Sequence, residues 1–358
     1  MRRFTGTVLR SSAAWLPVLF LILPPLIAPA VTTPNFAQAP DDYANALAKL
    51  RAGAYEEAAK LFQNVEVAAP GKTDALVLAA KAFVHLEKYA DANHSLRVYL
   101  GEQPSSPEAL YLLGYVLHRE NQPAESLEVY TKAAALQPPS GDDLKIVGLN
   151  YVLLNDYSDA THWLEKAVES DEKNEEAWYF LGRAYYTQGR IGEAGGAFQK
   201  ALQLNPNDGK AENNLGLVLQ AEARTSEAIE AYRLAIAWQQ NSGHVSEQPY
   251  LNLGSVLLEQ ERNGEALPPL EEAVKLATAN PVCHLKLGIA YMRLSKPVPA
   301  QEELEAAVRL DPENAAAHFQ LGKLYKQIHA MERAQKEFAR TEEIQVRAAA
   351  RAVPKMPD

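Results

Sequence analysis

Most of this chain carries apolar residues at i, i+3, i+4 and i+7, the spacing that gathers them on one face of an α-helix. Around residue 180 the set Trp178, Leu181, Gly182 and Tyr185 makes one such face, and Ala194, Phe198 and Ala201 make a second. Pro206 stops the second helix, because the residue before a proline disfavours α geometry. The segment predicts two helices joined by a short turn.

The same pattern returns every 34 residues. The small residue after the leucine position reads Ala46, Ala80, Gly114, Gly148, Gly182, Gly216, Gly254, Gly288 and Gly322. A second small position follows at Ala58, Ala92, Ser126, Ala160, Ala194, Ala228, Ala266, Ala300 and Ala334. Four residues further on stands a large one: Phe62, Leu96, Tyr130, Leu164, Phe198, Tyr232, Leu270, Leu304 and Phe338. Seven of the 19 glycines fall on one register position, which composition alone does not produce. The small residues let two helices approach closely, and the large one fills the groove beside the contact. A single hairpin cannot bury its apolar face, so neighbouring units must stack and share a core.

Nine units result, at 39–72, 73–106, 107–140, 141–174, 175–208, 209–242, 247–280, 281–314 and 315–348. Units one to six occupy 39–242 and units seven to nine 247–348, with an insertion at 243–246 between them. The order Trp178, Leu181-Gly182, Tyr185, Ala194, Phe198 and Pro206 resembles the tetratricopeptide repeat (TPR) over all of 39–348. That resemblance implies an all-α fold, a right-handed α-solenoid of tandem helix-turn-helix units. It also implies that the first helix of each unit lines a concave wall, with unit positions 2, 5, 9 and 12 facing the groove.

Departures from the pattern carry their own expectations. Asn45 and Lys49 replace large apolar residues in the first unit, as suits a solvent-facing cap. Pro268 and Pro269 fall inside the second helix of unit seven and should kink it. With the insertion they suggest a bend near 243–270, a lengthened loop with a tolerated kink being the alternative. The last helix continues beyond Arg340 toward Pro354, so that 349–358 forms a helical extension and tail with a partly exposed apolar face.

Residues 1–38 stand apart. Arg2, Arg3 and Arg10 are the only charges before Asp41, and an apolar stretch runs from Trp15 to Ile27. A basic start, an apolar middle and small residues at Ala28 and Ala30 describe a cleavable export signal, placing the mature chain in the periplasm or outside the cell. The alternative is a membrane anchor at 11–31, long enough for a span but interrupted by Pro17, Pro24 and Pro25.

The net charge is −10, and removing those three arginines would make it −13. Such a balance disfavours nucleic acid and suits a basic or aromatic-rich protein or peptide partner. One cysteine, Cys283, excludes an intramolecular disulfide framework. No phosphate-binding loop, HExxH, CxxC, nucleophile elbow or dinucleotide fingerprint occurs, so no catalytic role and no cofactor are expected. Cys283 and His284 adjoin, but adjacent helical residues point about 100° apart. His284 and His318 share one unit position and read as packing rather than as metal ligands.

By the resemblance, the groove positions hold Tyr111, Tyr115 and His118 in unit three and Tyr179, Arg183 and Tyr186 in unit five, with Lys81 and Leu149 along the same path. Tyrosine and arginine dominate binding energy at many interfaces, offering large area with a polar handle. At position 6, Asn214, Asn252 and Gln320 are similar to an amide ladder that holds a peptide backbone, although Lys286 interrupts it. The lysines and asparagines of the chaperone-binding carboxylate clamp are not reproduced. The sequence thus points to a noncatalytic scaffold binding a peptide or protein surface in a concave groove. A membrane-anchored envelope assembly factor and a glycan- or lipid-binding solenoid are the alternatives.

Overall fold

The computed structural model describes residues 39–68, 74–240, 243 and 245–352. The segment read as export signal or anchor lies outside the described residues. Among these, eighteen helices form nine hairpins and no strand occurs. They are α1 (Ala39–Arg51) with α2 (Tyr55–Ala68), α3 (Ala75–His85) with α4 (Tyr89–Glu102), and α5 (Pro107–Arg119) with α6 (Pro123–Ala134). Next come α7 (Gly141–Leu153) with α8 (Tyr157–Ser170), α9 (Glu175–Thr187) with α10 (Ile191–Leu204), and α11 (Gly209–Ala221) with α12 (Thr225–Gln239). The last three are α13 (Gln248–Glu259) with α14 (Asn263–Leu276), α15 (Pro281–Arg293) with α16 (Pro297–Leu310), and α17 (Ala315–Gln327) with α18 (Met331–Ala352).

Each hairpin closes where the register requires. A Cβ added to Gly182 would lie 2.7 Å from the Phe198 ring, and one on Gly148 would lie 2.7 Å from Leu164. Gly114, Gly216, Gly254, Gly288 and Gly322 meet Tyr130, Tyr232, Leu270, Leu304 and Phe338 in the same way. Phe62, Leu96, Leu164, Phe198, Tyr232, Leu270 and Leu304 are fully buried, whereas Phe338 in the last unit is only half-buried.

Two further periodic devices fix the turns. The last position of a unit caps the next first helix: Ser106, Ser140, Asn174, Asp208, Asn280 and Asn314 each accept a backbone N–H through their side chains. Between the two helices of every unit, the fifteenth residue is left-handed, with φ from +56° to +77°. Only Gly53 and Gly189 are glycines there; the others are Glu87, Asn121, Asn155, Ala223, Glu261, Ser295 and His329. The next N–H then closes back onto the first helix, as Gln122 N–H does on Leu117 O at 2.9 Å, compensating the left-handed cost of about 1–2 kcal/mol.

Buried apolar clusters follow one another along the array, and one runs unbroken from Leu219 to Ala290 across the insertion. There Gln239 Nε2 donates to Ser246 O and Ser246 N–H donates to Gln239 Oε1, both at 3.0 Å, tying α12 to the start of unit seven. Helix α14 continues through Pro268 and Pro269. At the amino end Asn45 is exposed, and Tyr43 donates to the Asp74 carboxylate at 2.5 Å. At the other end α18 reaches Ala352, with Ile344 buried and Val346 63% exposed.

From α3 onward each first helix touches the first helix of the next unit, while successive second helices do not meet to that extent. Spacing is therefore tighter on the first-helix side, which makes that side the inner wall of a curved array.

Candidate functional site

Two cavities open on the inner wall, one on each side of α9. The first, about 650 Å³, is lined from α3, α5, α7 and α9 and holds Lys81, Tyr111, Tyr115, His118 and Leu149. The second, about 850 Å³, is lined mainly from α9, α11 and α13 and holds Tyr179, Arg183, Asn214 and Asn252. Nine of the eleven groove and amide-ladder residues expected from sequence thus gather in two adjoining cavities; Gln320 lines neither. Nor does Tyr186; its ring packs against the cluster of Ala194, Phe198 and Val218.

In the first cavity the tyrosines are anchored from behind. Tyr111 donates to Gln137 O at 2.6 Å and leans on the Tyr130 ring at 5.8 Å. Burial pushes its phenol above the usual tyrosine range. Arg119 Nη1 donates to Tyr115 Oη at 2.8 Å while its guanidinium lies 4.6 Å from the Tyr89 ring. His118 Nδ1 donates to Asn150 Oδ1 at 2.8 Å, and burial lowers its pKa, favouring a neutral ring.

Charge at this rim bridges units. Lys81 pairs with Glu108 at 2.5 Å, and Lys145 pairs with Glu176 at 2.7 Å and Asp142 at 3.0 Å. Burial works against the Lys145 charge, but its two carboxylate partners hold the ammonium above its ordinary pKa. Lys145, Arg119 and Phe180 were not singled out from sequence, although Lys145 occupies groove position 5 and was open to the same reading.

Amides dominate the second cavity. Asn214 Nδ2 donates to Lys210 O at 2.8 Å and faces Tyr179 Oη at 3.4 Å. Asn252 donates to Asn213 Oδ1 at 2.9 Å, so the amide series links neighbouring units through Asn213 rather than through position 6 alone. The Tyr179 ring packs on Phe180 and Phe198, and burial raises its pKa.

Glu175, at the start of α9, sits beside Asp208. Burial, then a hydrogen bond to Asp208 and the charges of Asp208 and Glu176, push its pKa up to about 7 from an ordinary value of 4.5. The folded chain thus holds a proton that the unfolded chain releases, and stability falls as pH rises from about 4.5 through about 7. Glu175→Gln should flatten that decline in urea-denaturation series collected across this window. An unchanged pH profile would remove Glu175 as its source.

His284 Nε2 donates to Thr278 O at 3.0 Å and its Nδ1 meets Glu303 at 2.6 Å; His318 repeats this with Pro312 O at 3.1 Å and Glu337 at 2.6 Å. Both ring nitrogens are therefore engaged within the fold. Cys283 is buried, which pushes its thiol up to about 11. Among the described residues no three His, Cys, Asp or Glu side chains converge as a metal would need, and no helix is long and apolar enough to cross a membrane.

The tetratricopeptide repeat profile matches residues 43–107, 77–141, 148–209, 207–279 and 285–356. Protein bimA of Emericella nidulans and anaphase-promoting complex subunit 3 of Schizosaccharomyces pombe are each 23% identical, over 137 and 146 residues. These stretches are 38% and 41% of this chain but 17% and 22% of theirs, so the chain spans about a fifth of the relatives it matches. Among solved structures, the APC/C hetero-tetramer Cut9-Hcn1 superposes with TM-score 0.54 at 14% identity, covering 88% of this chain and 75% of that one. A tetratricopeptide repeat protein from Parabacteroides merdae gives 0.53 at 17%, covering 70% and 97%. The type IV pilus biogenesis factor PilW gives 0.51 at 21%, covering 60% and 94%. At these identities the likeness is one of fold.

Proposed function

This chain belongs to the tetratricopeptide repeat family, and from that premise we propose that it is a noncatalytic scaffold that binds a peptide segment of a protein partner along its inner wall. The observation that carries this reading is the pair of cavities flanking α9, which draw on six units and collect tyrosine, arginine and asparagine side chains from four of them. Cavities of this size suit a few side chains of an extended segment. Tyr111 and Tyr115 offer ring area at little entropic cost because their hydroxyls are already held. The surrounding carboxylates, Glu108, Asp142, Asp143 and Glu176, favour a basic or aromatic-rich stretch over the first cavity.

The test uses a peptide selected from a random library against the full chain. Because the Tyr179 ring also packs on Phe198, its truncation would disturb the core, and exposed Arg183 is the better partner for Tyr115. Tyr115→Ala with Arg183→Ala should weaken that peptide by about tenfold or more in a fluorescence titration. Unaltered affinity in a variant of parental helicity would sink the proposal.

A further inference from the structure

The inner wall changes its charge along its length. At unit positions 2, 5, 6 and 9, units two to five carry four acids, Asp74, Glu108, Asp142 and Glu176, against Lys81, Lys145 and Arg183. Both lysines there are ion-paired across units. At the same positions α11, α13, α15 and α17 carry Lys210, Lys286 and Lys323 and no acid. Among the described residues none of these three ammonium groups has an ion-pair or hydrogen-bond partner; Lys323 Nζ lies over the Phe319 ring, 5.9 Å from its centre. An acid-free cationic stretch is out of keeping with a chain of 45 acids and 35 bases.

Apolar surface accompanies the lysines. Val282 is 40% exposed and Phe319 45% exposed, at positions 2 and 5 of their helices. A solvated lysine gains little by itself. A carboxylate brought near it beside apolar cover gains more, because that cover thins the intervening water.

We propose that the carboxyl-terminal half of the inner wall, from α11 to α17, docks an acidic, extended segment of a protein partner whose apolar side chains rest on Val282 and Phe319. The proposal rests on the reading of the inner wall as the binding face and adds a direction to it. A bound segment lies with its basic or aromatic part over α3 to α9 and its acidic part over α11 to α17. Charge complementarity selects the acidic occupant, and the exposed valine and phenylalanine select a peptide over a bare polyanion. The absence of arginine from these positions of α11 to α17 removes the bidentate fork that phosphate recognition favours, and the overall charge of −10 repels an extended polyanion.

The experiment titrates three fluorescent probes into the full chain: a short peptide of Glu, Asp, Leu and Phe, the same peptide with lysine at each acid, and a single-stranded oligonucleotide of matching negative charge. The acidic peptide should bind, weaken with added salt, and lose about tenfold or more in Lys286→Glu with Lys323→Glu. Lys286→Gln with Lys323→Gln should fall in between, which separates a charge effect from misfolding. Tyr115→Ala alone should leave this peptide unaffected while weakening the library-selected one, so the two readings fail separately. Equal binding of the lysine peptide, or acidic-peptide affinity insensitive to both lysine variants, would overturn the proposal. Tighter, lysine-dependent binding of the oligonucleotide would overturn it in favour of a polyanion site.

Discussion

Gly182→Leu destabilises the array by about 3 kcal/mol in chemical denaturation, the upper end of what overpacking costs, whereas Gly196→Ala, fourteen residues away, stabilises it by about 0.5–1 kcal/mol. The two glycines differ in what surrounds them. A Cβ on Gly182 would stand 2.7, 2.8 and 3.0 Å from three atoms of the Phe198 ring, and that ring is fully buried with nowhere to turn. A leucine there must push α9 from α10 and disturb the shared core on both sides. Gly196 lies in α10 with nothing within 4 Å of its added Cβ, so alanine simply removes the glycine's conformational cost. In the first two units Ala46 and Ala80 stand at the Gly182 position beside Phe62 and Leu96, so a single methyl can be built in where the hairpin suits it. Denaturation midpoints and slopes for the two variants against the parent decide this. A Gly182→Leu curve superimposable on the parent would mean that the register is wrong.

Asn150→Val should cost about 2–3 kcal/mol, although valine stands at the same position in three other units. Asn150 is fully buried, its Nδ2 donating to Ser126 Oγ at 2.7 Å and its Oδ1 accepting from His118 at 2.8 Å. Ser126 in turn donates to Gly114 O at 2.6 Å. Valine would strand the His118 donor and leave the serine without one of its partners, and a buried group left unpaired costs more than the bond contributed. Ser126 is the one serine in a position that is alanine in the other eight units, which marks it as the partner Asn150 requires. Ser126→Ala combined with Asn150→Val restores the pattern of the other units and should recover part of the loss. The double-mutant cycle in urea measures that coupling. Strict additivity would dissolve the network as a unit.

These two sites show what a sequence makes legible. The glycine at position 8, the alanine at 20 and the large residue at 24 could be read directly because one steric contact demands all three in every unit. The left-handed residue at position 15 was hard to read, since only Gly53, Gly189, Asn121 and Asn155 carry residue types that favour it. Backbone closure compensates the strain elsewhere, so glutamate, alanine and serine stand there as well. Tyr115 and Tyr186 have the same type and comparable positions, yet one lines a cavity and the other packs on Phe198 and Val218. That choice depends on small differences in helix approach that residue identity does not encode. Asn252 was legible as a polar groove residue but not as the partner of Asn213, because the four-residue insertion lengthens the repeat distance to 38 and the bond joins position 5 of one unit to position 6 of the next, 39 residues on.

Amide hydrogen–deuterium exchange of the full chain, alone and saturated with the library-selected peptide, tests the central claim most directly. Slowed exchange should concentrate on α5, α7, α9, α11 and α13, which supply most of the side chains lining the two cavities, with little change on α4, α8 and α10. Protection confined to those second helices would contradict the claim and move the binding face to the outer surface of the array.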